Sequence, residues 1–497
     1  MGVGSNKKGG FPMTVNFVIV GIVVLYLIGM LFIGWYSSKN VNSNEDFMVA
    51  GRRLGPILMA GTLAATEIGG GSSLGVVQKG MNPDYGLNSA WYIIAMGLAF
   101  VILTFIAPKI RNSMVKTVPE YFRRRYGEAA GAITALIMFV PLIGLTAGQF
   151  IASAVILSTM LGITYHTAVI IVGIVVTIYA VMGGLWSVTL TDFVQVFLIV
   201  FGMIIAVPFA LNYAGGWANV KANVDPSALQ IIGHGKGYGL KSIISLTIMY
   251  VGTFTVGQEA VSRYYAARDG KTAVQGSIIA AIINFVFAFI PAVLGVIVLS
   301  LINMGKFSAD HFAAVGARYA LPVLAIEVMP SVICALLFAG IISATMSSAD
   351  SDLLGAGSIF ANDLYKAIFK KDASDKDVLN CTRFMMVVVG ALSLVLAYFN
   401  NNDIISILTF AFTLRAAGTF FPYVLGHYWK GASTIGTIAS LIAGTIVVVG
   451  IDTFKWAPFG YKFEQSIVPG LVVALIAFLV FSAIFPPKNQ TTELKAE

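Results

Sequence analysis

Residues 64–73 read AATEIGGGSS and occupy the middle of an apolar segment, residues 56–79, that is long enough to cross a membrane. Each of the glycines at 69–71 destabilises a helix by about 1 kcal/mol relative to alanine. Glu67 stands just before them, and an ionisable group at mid-membrane is costly unless it faces a cavity, a partner or an ion. The stretch therefore predicts a membrane helix that is broken at its centre, where unwound carbonyls face a polar site.

A glycine cluster has two other interpretations. A phosphate-binding loop follows a strand and ends in Gly-Lys-Ser or Gly-Lys-Thr, and the sequence has neither feature here. Close packing of helices through small residues needs only the glycines themselves, and the sequence leaves it open.

The composition is that of a membrane protein. Of the 497 residues, 58% are hydrophobic and only 11% are charged, and the mean hydropathy is +0.86. Soluble domains carry about 25% charged residues, so this chain lacks the polar side chains to cover a water-facing surface. The net charge of +8 does not indicate nucleic acid, because the basic residues lie in loops between apolar segments. Cys334 and Cys381 show neither disulfide nor metal-ligand spacing.

Apolar segments of membrane-spanning length recur along the chain and predict an all-α integral membrane protein with thirteen transmembrane helices. The segments lie near residues 14–36, 56–79, 87–107, 130–160, 166–183, 190–211, 240–260, 273–302, 329–361, 381–399, 404–427, 433–451 and 467–485. The first is too long for a signal-peptide core and lacks a clear cleavage site.

The distribution of Lys and Arg predicts how the chain crosses the membrane. Thirteen spans place the two termini on opposite sides. With the C-terminus in the cytoplasm, 20 of the 31 basic residues lie on the cytoplasmic side and 10 on the other. This excess predicts a multi-pass protein of the plasma or inner membrane with its N-terminus outside and its C-terminus inside.

A second polar stretch lies in the ninth predicted helix, where residues 343–352 read SATMSSADSD. Residues three and four apart share a helix face, so Ser347, Asp350 and Ser351 line one face. Hydroxyls and carboxylates on one face of a buried helix indicate either polar packing or coordination of a hard cation. Further ionisable residues in or near predicted spans are Asp192, Asp352, Arg415 and Glu259. A buried ion pair is the alternative for each, but the carboxylates outnumber the one arginine among them and so favour a cation.

With these residues the chain resembles the sodium:solute symporter family, which includes proline, sugar, sialic-acid and choline carriers. The resemblance covers about residues 14–485 and rests on the order and spacing of several motifs. The motifs are Glu45-Asp46-Phe47 before AGRRLG at 50–55, TVPEYF at 117–122 before Arg125-Tyr126-Gly127, GGLW at 183–186 with Thr191, Asp192 and Gln195, and Met346 to Ser351.

The resemblance implies an architecture. Ten core helices form two inverted repeats of five, and the first and sixth core helices are broken. The repeats would cover residues 56–211 and 240–427. An N-terminal helix and cytoplasmic loop (1–55) would precede them, and two C-terminal helices with a short tail (428–497) would follow.

The resemblance also implies a sodium site between the first and eighth core helices. Its matching ligands are the carbonyls of Ala65, Ile68 and Ala344 and the hydroxyls of Ser347 and Ser348. Some members hold an additional ion at positions that match Asp192, Ser347, Asp350 and Ser351, although one such member has a serine in place of Asp350. Glu67 falls where the proline carriers have an aspartate important for sodium, so we expect it to be the ion-coupling carboxylate.

The residues expected to contact the solute are Gly70, Ser72, Gln149, Gln258 and Arg415. A buried guanidinium binds carboxylates through its planar fork of donors, so Arg415 predicts a carboxylate-bearing solute, either an organic acid or an amino acid. A buried ion pair of Arg415 with Glu67 or Asp192 is an equal alternative.

Within the family the chain most resembles the high-affinity choline and proline branches, the former through the glycines at 69–71, VPFAL at 207–211 and ASDK at 373–376. Choline is nevertheless a poor candidate, because choline carriers have a tryptophan where this chain has Glu67, and the six tryptophans here lie near span ends or in loops.

These features predict a sodium-coupled symporter that imports a small organic solute by alternating access, with sodium as its only metal ion and no cofactor. A proton-coupled symporter of the same fold is the nearest alternative, since Glu67 or Asp350 could carry a proton, and a choline or amine carrier is another. An enzyme is not expected, because the four histidines lack ligand spacing. The short tail after the last span argues against a transporter-like sensor. The expected partners are solute, sodium and the lipid bilayer, and the sequence leaves the oligomeric state open.

Overall fold

The computed structural model describes residues 15–38, 44–233, 237–400, 403–461 and 465–487, nearly all of them helical. The first ten helices, α1 to α10, are Phe17–Ser38, Asn44–Val49, Pro56–Glu67, Val76–Gly80, Trp91–Leu103, Ala107–Asn112, Val118–Tyr126, Glu128–Leu161, Tyr165–Ala214 and Trp217–Ala222. The next ten, α11 to α20, are Leu240–Val256, Gln258–Ala266, Gly270–Asn303, Ala309–Val315, Ala320–Val328, Ser331–Ile359, Asp375–Phe399, Ile404–Gly426, Thr434–Asp452 and Ile467–Ile484. Two π-helical segments, Gly71–Gly75 and Phe360–Phe369, adjoin α4 and α16.

The described helices are long and apolar enough for a multi-pass membrane protein. Ten helical segments could each cross a bilayer, and two bent pairs raise the number to twelve if each pair is one span. One pair is α11 with α12, bent by 54°, and the other joins α14 to Ala317–Val328 at 112°. The all-α membrane fold is therefore confirmed, and thirteen is an approximate count of its spans.

The outer faces of the helices are apolar. Large side chains such as Phe201 on α9, Val395 on α17 and Ile476 on α20 are more than half exposed. Monomeric soluble proteins rarely expose apolar surface on this scale. These faces are suited to contact with lipid chains.

Helix α16 is the centre of the molecule. It packs along α9, α8 and α17. Every side chain from Leu337 to Ile359 is buried, so its serines and aspartates face other helices and not lipid. A helix that carries this many polar groups through a membrane is stable only when protein surrounds it.

Two core helices are broken, as the sequence and the resemblance predict. α3 ends at Glu67, Ile68 leaves the helical region with ψ of 73°, and the chain resumes a helical path from Gly71 to Gly80. The second break is at Gly257, which has ψ of 122° and separates α11 from α12. Both breaks lie beside α16 or α18, where they can present backbone groups to the protein interior.

Gly184 divides α9 into two spans. Its φ of 61° and ψ of −173° interrupt the helix between the segments predicted at 166–183 and 190–211. A side chain is disfavoured at this backbone angle, and a Cβ would lie only 2.5 Å from Cδ2 of Phe47. Glycine therefore allows the turn of the chain against α2.

Gly184→Ala is expected to lower the thermal unfolding midpoint in detergent. The left-handed backbone costs an L-residue about 1–2 kcal/mol, and forcing Phe47 aside costs about 1–3 kcal/mol more. Gly144→Ala is the matched control, because its Cβ would meet nothing nearer than 3.7 Å. Equal midpoints for the two variants would contradict this account of the turn.

Candidate functional site

A small cavity lies beside the break in α3. Its volume is about 20 Å³, which is room for about one water molecule. Its lining comes from the two halves of the broken helix and from α5, α8, α12, α16 and α18. The lining residues are Thr66, Glu67, Gly69, Gly71, Ser72, Tyr92, Met96, Leu145, Gln149, Glu259, Ser348, Asp352, Leu408 and Phe412.

One wall of the cavity is acidic. Glu67, Glu259 and Asp352 all line it, and each is at most 7% exposed. Oε1 of Glu67 has no hydrogen-bond partner among the described residues. Three carboxyl groups in one buried cavity repel one another when ionised, so the site favours a cation or the positive end of a solute.

Arg415 on α18 pairs with Glu259, one of these three carboxylates. Its Nη1 donates to Oε2 of Glu259 at 2.6 Å, its Nη2 donates to Oε1, and its Nε donates to Oγ1 of Thr253 at 2.6 Å. Of the carboxylates that the sequence offered as partners, neither Glu67 nor Asp192 holds it. The bidentate pair with Glu259 and the bond to Thr253 together engage all three guanidinium nitrogens, and Arg415 does not itself line the cavity.

The break in α3 contacts α16 at Ser348. Gly70 N–H would continue the helix by bonding to Thr66, but it donates instead to Oε1 of Gln149 at 2.8 Å. The Thr66 carbonyl accepts a 2.7 Å bond from Oγ of Ser348, which also lies 3.1 Å from the Ala344 carbonyl. The predicted sodium ligands Ala65, Ile68, Ala344 and Ser348 therefore lie on the two facing elements of one contact.

Ser347 faces a different set of residues. Its Oγ donates to Oδ1 of Asp192 on α9 at 2.5 Å. Oδ2 of Asp192 accepts from Oγ1 of Thr62 at 2.5 Å and from Nη2 of Arg263 at 3.3 Å. The structure thus brings together Asp192, Ser347 and Ser351, the last of which accepts a 2.5 Å bond from Nη2 of Arg263.

Arg263 corrects the prediction that α18 carries the one buried arginine. Arg263 falls between the spans predicted at 240–260 and 273–302, but α12 continues to Ala266 and the side chain of Arg263 is fully buried. Its neighbours in sequence are polar, so hydropathy gave no sign of burial. The excess of basic residues on the predicted cytoplasmic side remains close to two to one.

Asp350 stands apart from that set. It is 1% exposed, and neither of its carboxyl oxygens has a hydrogen-bond partner among the described residues. It shares α16 with Ser347 and Ser351 but does not share their bonds.

Of the other predicted solute contacts, three lie at the cavity or the break in α3 and one does not. Gln149 and Ser72 line the cavity, and Oγ of Ser72 donates to the carbonyl of Glu67 at 2.9 Å. Gly70 lies in the break itself. Gln258 is not brought to the cavity, because its side chain bonds to the backbone of Val118 and Lys116, both at 3.0 Å.

Several residues that line the cavity were not predicted from the sequence. Tyr92, Met96 and Phe412 add aromatic and thioether surface. They sit in apolar spans, where nothing distinguishes a cavity-facing aromatic side chain from a lipid-facing one. Asp352 and Glu259 were visible as ionisable residues, but only the structure places them on the same wall as Glu67.

Relatives of this chain are known transporters and not enzymes. It is 29% identical over 477 residues to the high-affinity proline transporter PutP of Bacillus subtilis, covering 93% of this chain and 97% of that protein. It is 26% identical over 489 residues to the sodium/proline symporter of Escherichia coli, covering 95% and 93% of the two chains. The solved structure of a substrate-bound, outward-open Na⁺-coupled sialic acid symporter superposes with a TM-score of 0.81 at 21% identity, over 96% of this chain and 99% of that one.

That superposition confirms the fold implied by the resemblance, and the breaks after Glu67 and at Gly257 agree with its two broken core helices. The model of the sodium:solute symporter family matches residues 47–444, which is most of the chain. The protein belongs to the sodium:solute symporter family.

Proposed function

We propose that the protein imports proline, or an amino acid closely similar to it, together with sodium. The observation that carries the proposal is the acidic cavity at the break in α3, with Glu67, Glu259 and Asp352 on one wall. Relatives that cover nearly the whole chain are named as proline transporters and sodium/proline symporters, which supports the same class of solute.

The charges favour an amino acid over a bare organic acid. A carboxylate alone would meet three carboxyl groups, and among the described residues the cation paired with them is Arg415, which already holds Glu259. The ammonium group of an amino acid complements this wall. Its carboxylate end would face the N–H groups of the unwound backbone at 69–71, as half-helix termini do in other transporters. Arg415 would then position Glu259 and not bind the solute directly.

The remaining lining suits a compact apolar ring. Tyr92, Met96 and Phe412 line the same cavity and offer aromatic and thioether contacts. An aromatic face also attracts an ammonium group through its quadrupole. Proline carries both an apolar ring and a secondary ammonium group, so it uses both kinds of contact.

For sodium we propose the contact between α3 and α16. Its ligands would be the carbonyls of Ala65, Ile68 and Ala344 and the hydroxyl of Ser348, whereas Ser347, the other hydroxyl predicted for this site, bonds to Asp192. Oxygen ligands suit a hard cation, and Ser348 already bonds to a carbonyl exposed by the break. Glu67, directly after that carbonyl, would couple the ion to the cavity.

The cavity is too small for an amino acid, so the protein must change conformation to bind one. Room for about one water molecule cannot hold an amino acid, so α3 and the helices around it must move apart to admit one. Sodium bound between two such helices would stabilise the arrangement that accepts solute, with a coupling free energy of about 1–3 kcal/mol. A membrane potential adds about 2.3 kcal/mol per charge for each 100 mV. The excess of basic residues supports an outside N-terminus and a cytoplasmic C-terminus in the cell membrane.

A solute screen in liposomes tests the proposal. With an inward sodium gradient, we expect uptake of labelled proline but not of lactate or choline. Glu67→Gln should raise the apparent KM for proline by about 10–100-fold, because a charged hydrogen-bond acceptor is lost. Glu327→Gln is the control, since Glu327 is exposed and lies outside the cavity. Uptake of choline or of lactate in place of proline would overturn the choice of solute.

A further inference from the structure

The cluster around Arg263 joins four helices. Thr62 comes from α3, Asp192 from α9, Arg263 from α12, and Ser347 and Ser351 from α16. All five side chains are at most 1% exposed. This cluster is separate from the central cavity, whose lining includes none of the five.

The guanidinium of Arg263 is fully engaged. Nε donates to Thr62 Oγ1 at 3.2 Å, and Nη1 donates to the Glu259 carbonyl at 2.7 Å. Nη2 lies 2.5 Å from Ser351 Oγ and 3.3 Å from Asp192 Oδ2. Each nitrogen therefore has an oxygen partner.

The oxygens of the cluster are equally engaged. Oδ1 of Asp192 accepts from Ser347, and Oδ2 accepts from Thr62 and Arg263. Oγ of Ser351 accepts from Arg263 and donates to the Ser347 carbonyl at 2.9 Å. A carboxylate and hydroxyls from different helices converging on one positive group is the arrangement of a cation site, and here the cation is part of the chain.

We infer that Arg263 is a built-in cation that takes the place of a second sodium ion at Asp192, Ser347 and Ser351. The protein would then couple one sodium to each solute. The inference deepens the proposed function and rests on its sodium coupling.

The consequence for coupling follows from linkage. An ion drives transport only if its binding and release depend on its concentration on each side. A guanidinium tethered to α12 supplies the same charge to Asp192 but cannot leave. It also repels any sodium that approaches the same oxygens. The cluster therefore holds α3, α9, α12 and α16 together without contributing a transported ion.

Equilibrium binding of ²²Na⁺ to the purified protein in saturating proline is the direct test. We expect wild type to bind one sodium, Arg263→Gln to bind one more, and Arg263→Gln with Asp192→Asn to return to the wild-type number. Glutamine keeps amide donors for Ser351 while removing the charge. In the double variant the carboxylate that would attract the extra ion is gone as well.

Proline accumulation in liposomes measures the number of coupled sodium ions independently, and it needs only the wild-type protein. At zero membrane potential and a sodium gradient of about tenfold, one coupled ion limits proline accumulation to about tenfold and two ions to about a hundredfold. Two sodium ions per wild-type chain, or an unchanged count in Arg263→Gln, would overturn the inference. If the single variant fails to fold, the wild-type count and the accumulation limit still decide it.

Different results would overturn the proposed sodium coupling and the proposed role of Arg263. Wild type that binds no sodium, with one ion gained in Arg263→Gln, would overturn the sodium coupling but support Arg263 as the occupant of the cluster. Wild type that accumulates proline to the two-ion limit would support sodium coupling and overturn the role of Arg263.

Discussion

Replacing Arg415 by methionine is expected to lower the free energy of unfolding by about 3–5 kcal/mol. Both side chains of the Arg415–Glu259 pair are at most 3% exposed, so the substitution leaves Glu259 charged and unpaired in the protein interior. Methionine fills similar space without the charge. The measurement is unfolding in mixed micelles, followed by the helical circular dichroism signal.

The double variant Arg415→Met with Glu259→Gln is the control. It removes both charges, and we expect it to recover much of the lost stability because no unpaired charge remains. An Arg415→Met protein of normal stability that binds proline much more weakly would contradict the ion-pair role. It would instead support Arg415 as a direct anchor of the solute carboxylate.

Ser348→Ala is expected to raise the sodium concentration for half-maximal proline uptake by about 10–100-fold, as loss of a metal-site contact typically does. The Ser348 hydroxyl is the group that links α16 to the carbonyl of Thr66 at the break in α3. Alanine is isosteric apart from that oxygen, so the apparent affinity for proline at saturating sodium should change little. The measurement is initial uptake as a function of sodium at fixed pH.

Ser343→Ala is the matched control for this variant. Ser343 lies on the same helix and is fully buried, but its hydroxyl bonds to that of Tyr26 on α1, away from the break. Its sodium dependence should resemble that of wild type. A similar loss in both variants would point to a general weakening of α16 and not to an ion site.

The sequence predicted the features of the fold that local composition controls. The glycines at 69–71 cannot stabilise a helix interior, and the structure breaks α3 there. The break at Gly257 was expected only from the resemblance, which implied a broken sixth core helix without locating the break. Ten of the thirteen predicted segments coincide with long apolar helices because the bilayer sets a minimum length, and an eleventh coincides with the bent pair α11–α12. The bent hairpin of α14 and Ala317–Val328 was missed, since its short helices fall below that length.

Pairing across helices was the part that the sequence could not predict. Arg263 and Asp192 are 71 residues apart, and Arg415 and Glu259 are 156 apart. Only the packed helices determine which buried charges meet. For the same reason Gln258, a polar residue at a helix break, was expected to contact solute although it binds the backbone of Val118. The polar face of α16 was predictable because helical spacing alone places Ser347 and Ser351 together.

We propose that sodium drives uptake of the solute through the contact between α3 and α16. The most direct test is proline uptake into liposomes containing the wild-type protein, with an inward sodium gradient at equal pH and, separately, an inward proton gradient without sodium. The account predicts concentrative uptake with the sodium gradient only. Uptake that follows the proton gradient and ignores sodium would contradict it, and would make Glu67 or Asp350 a proton carrier.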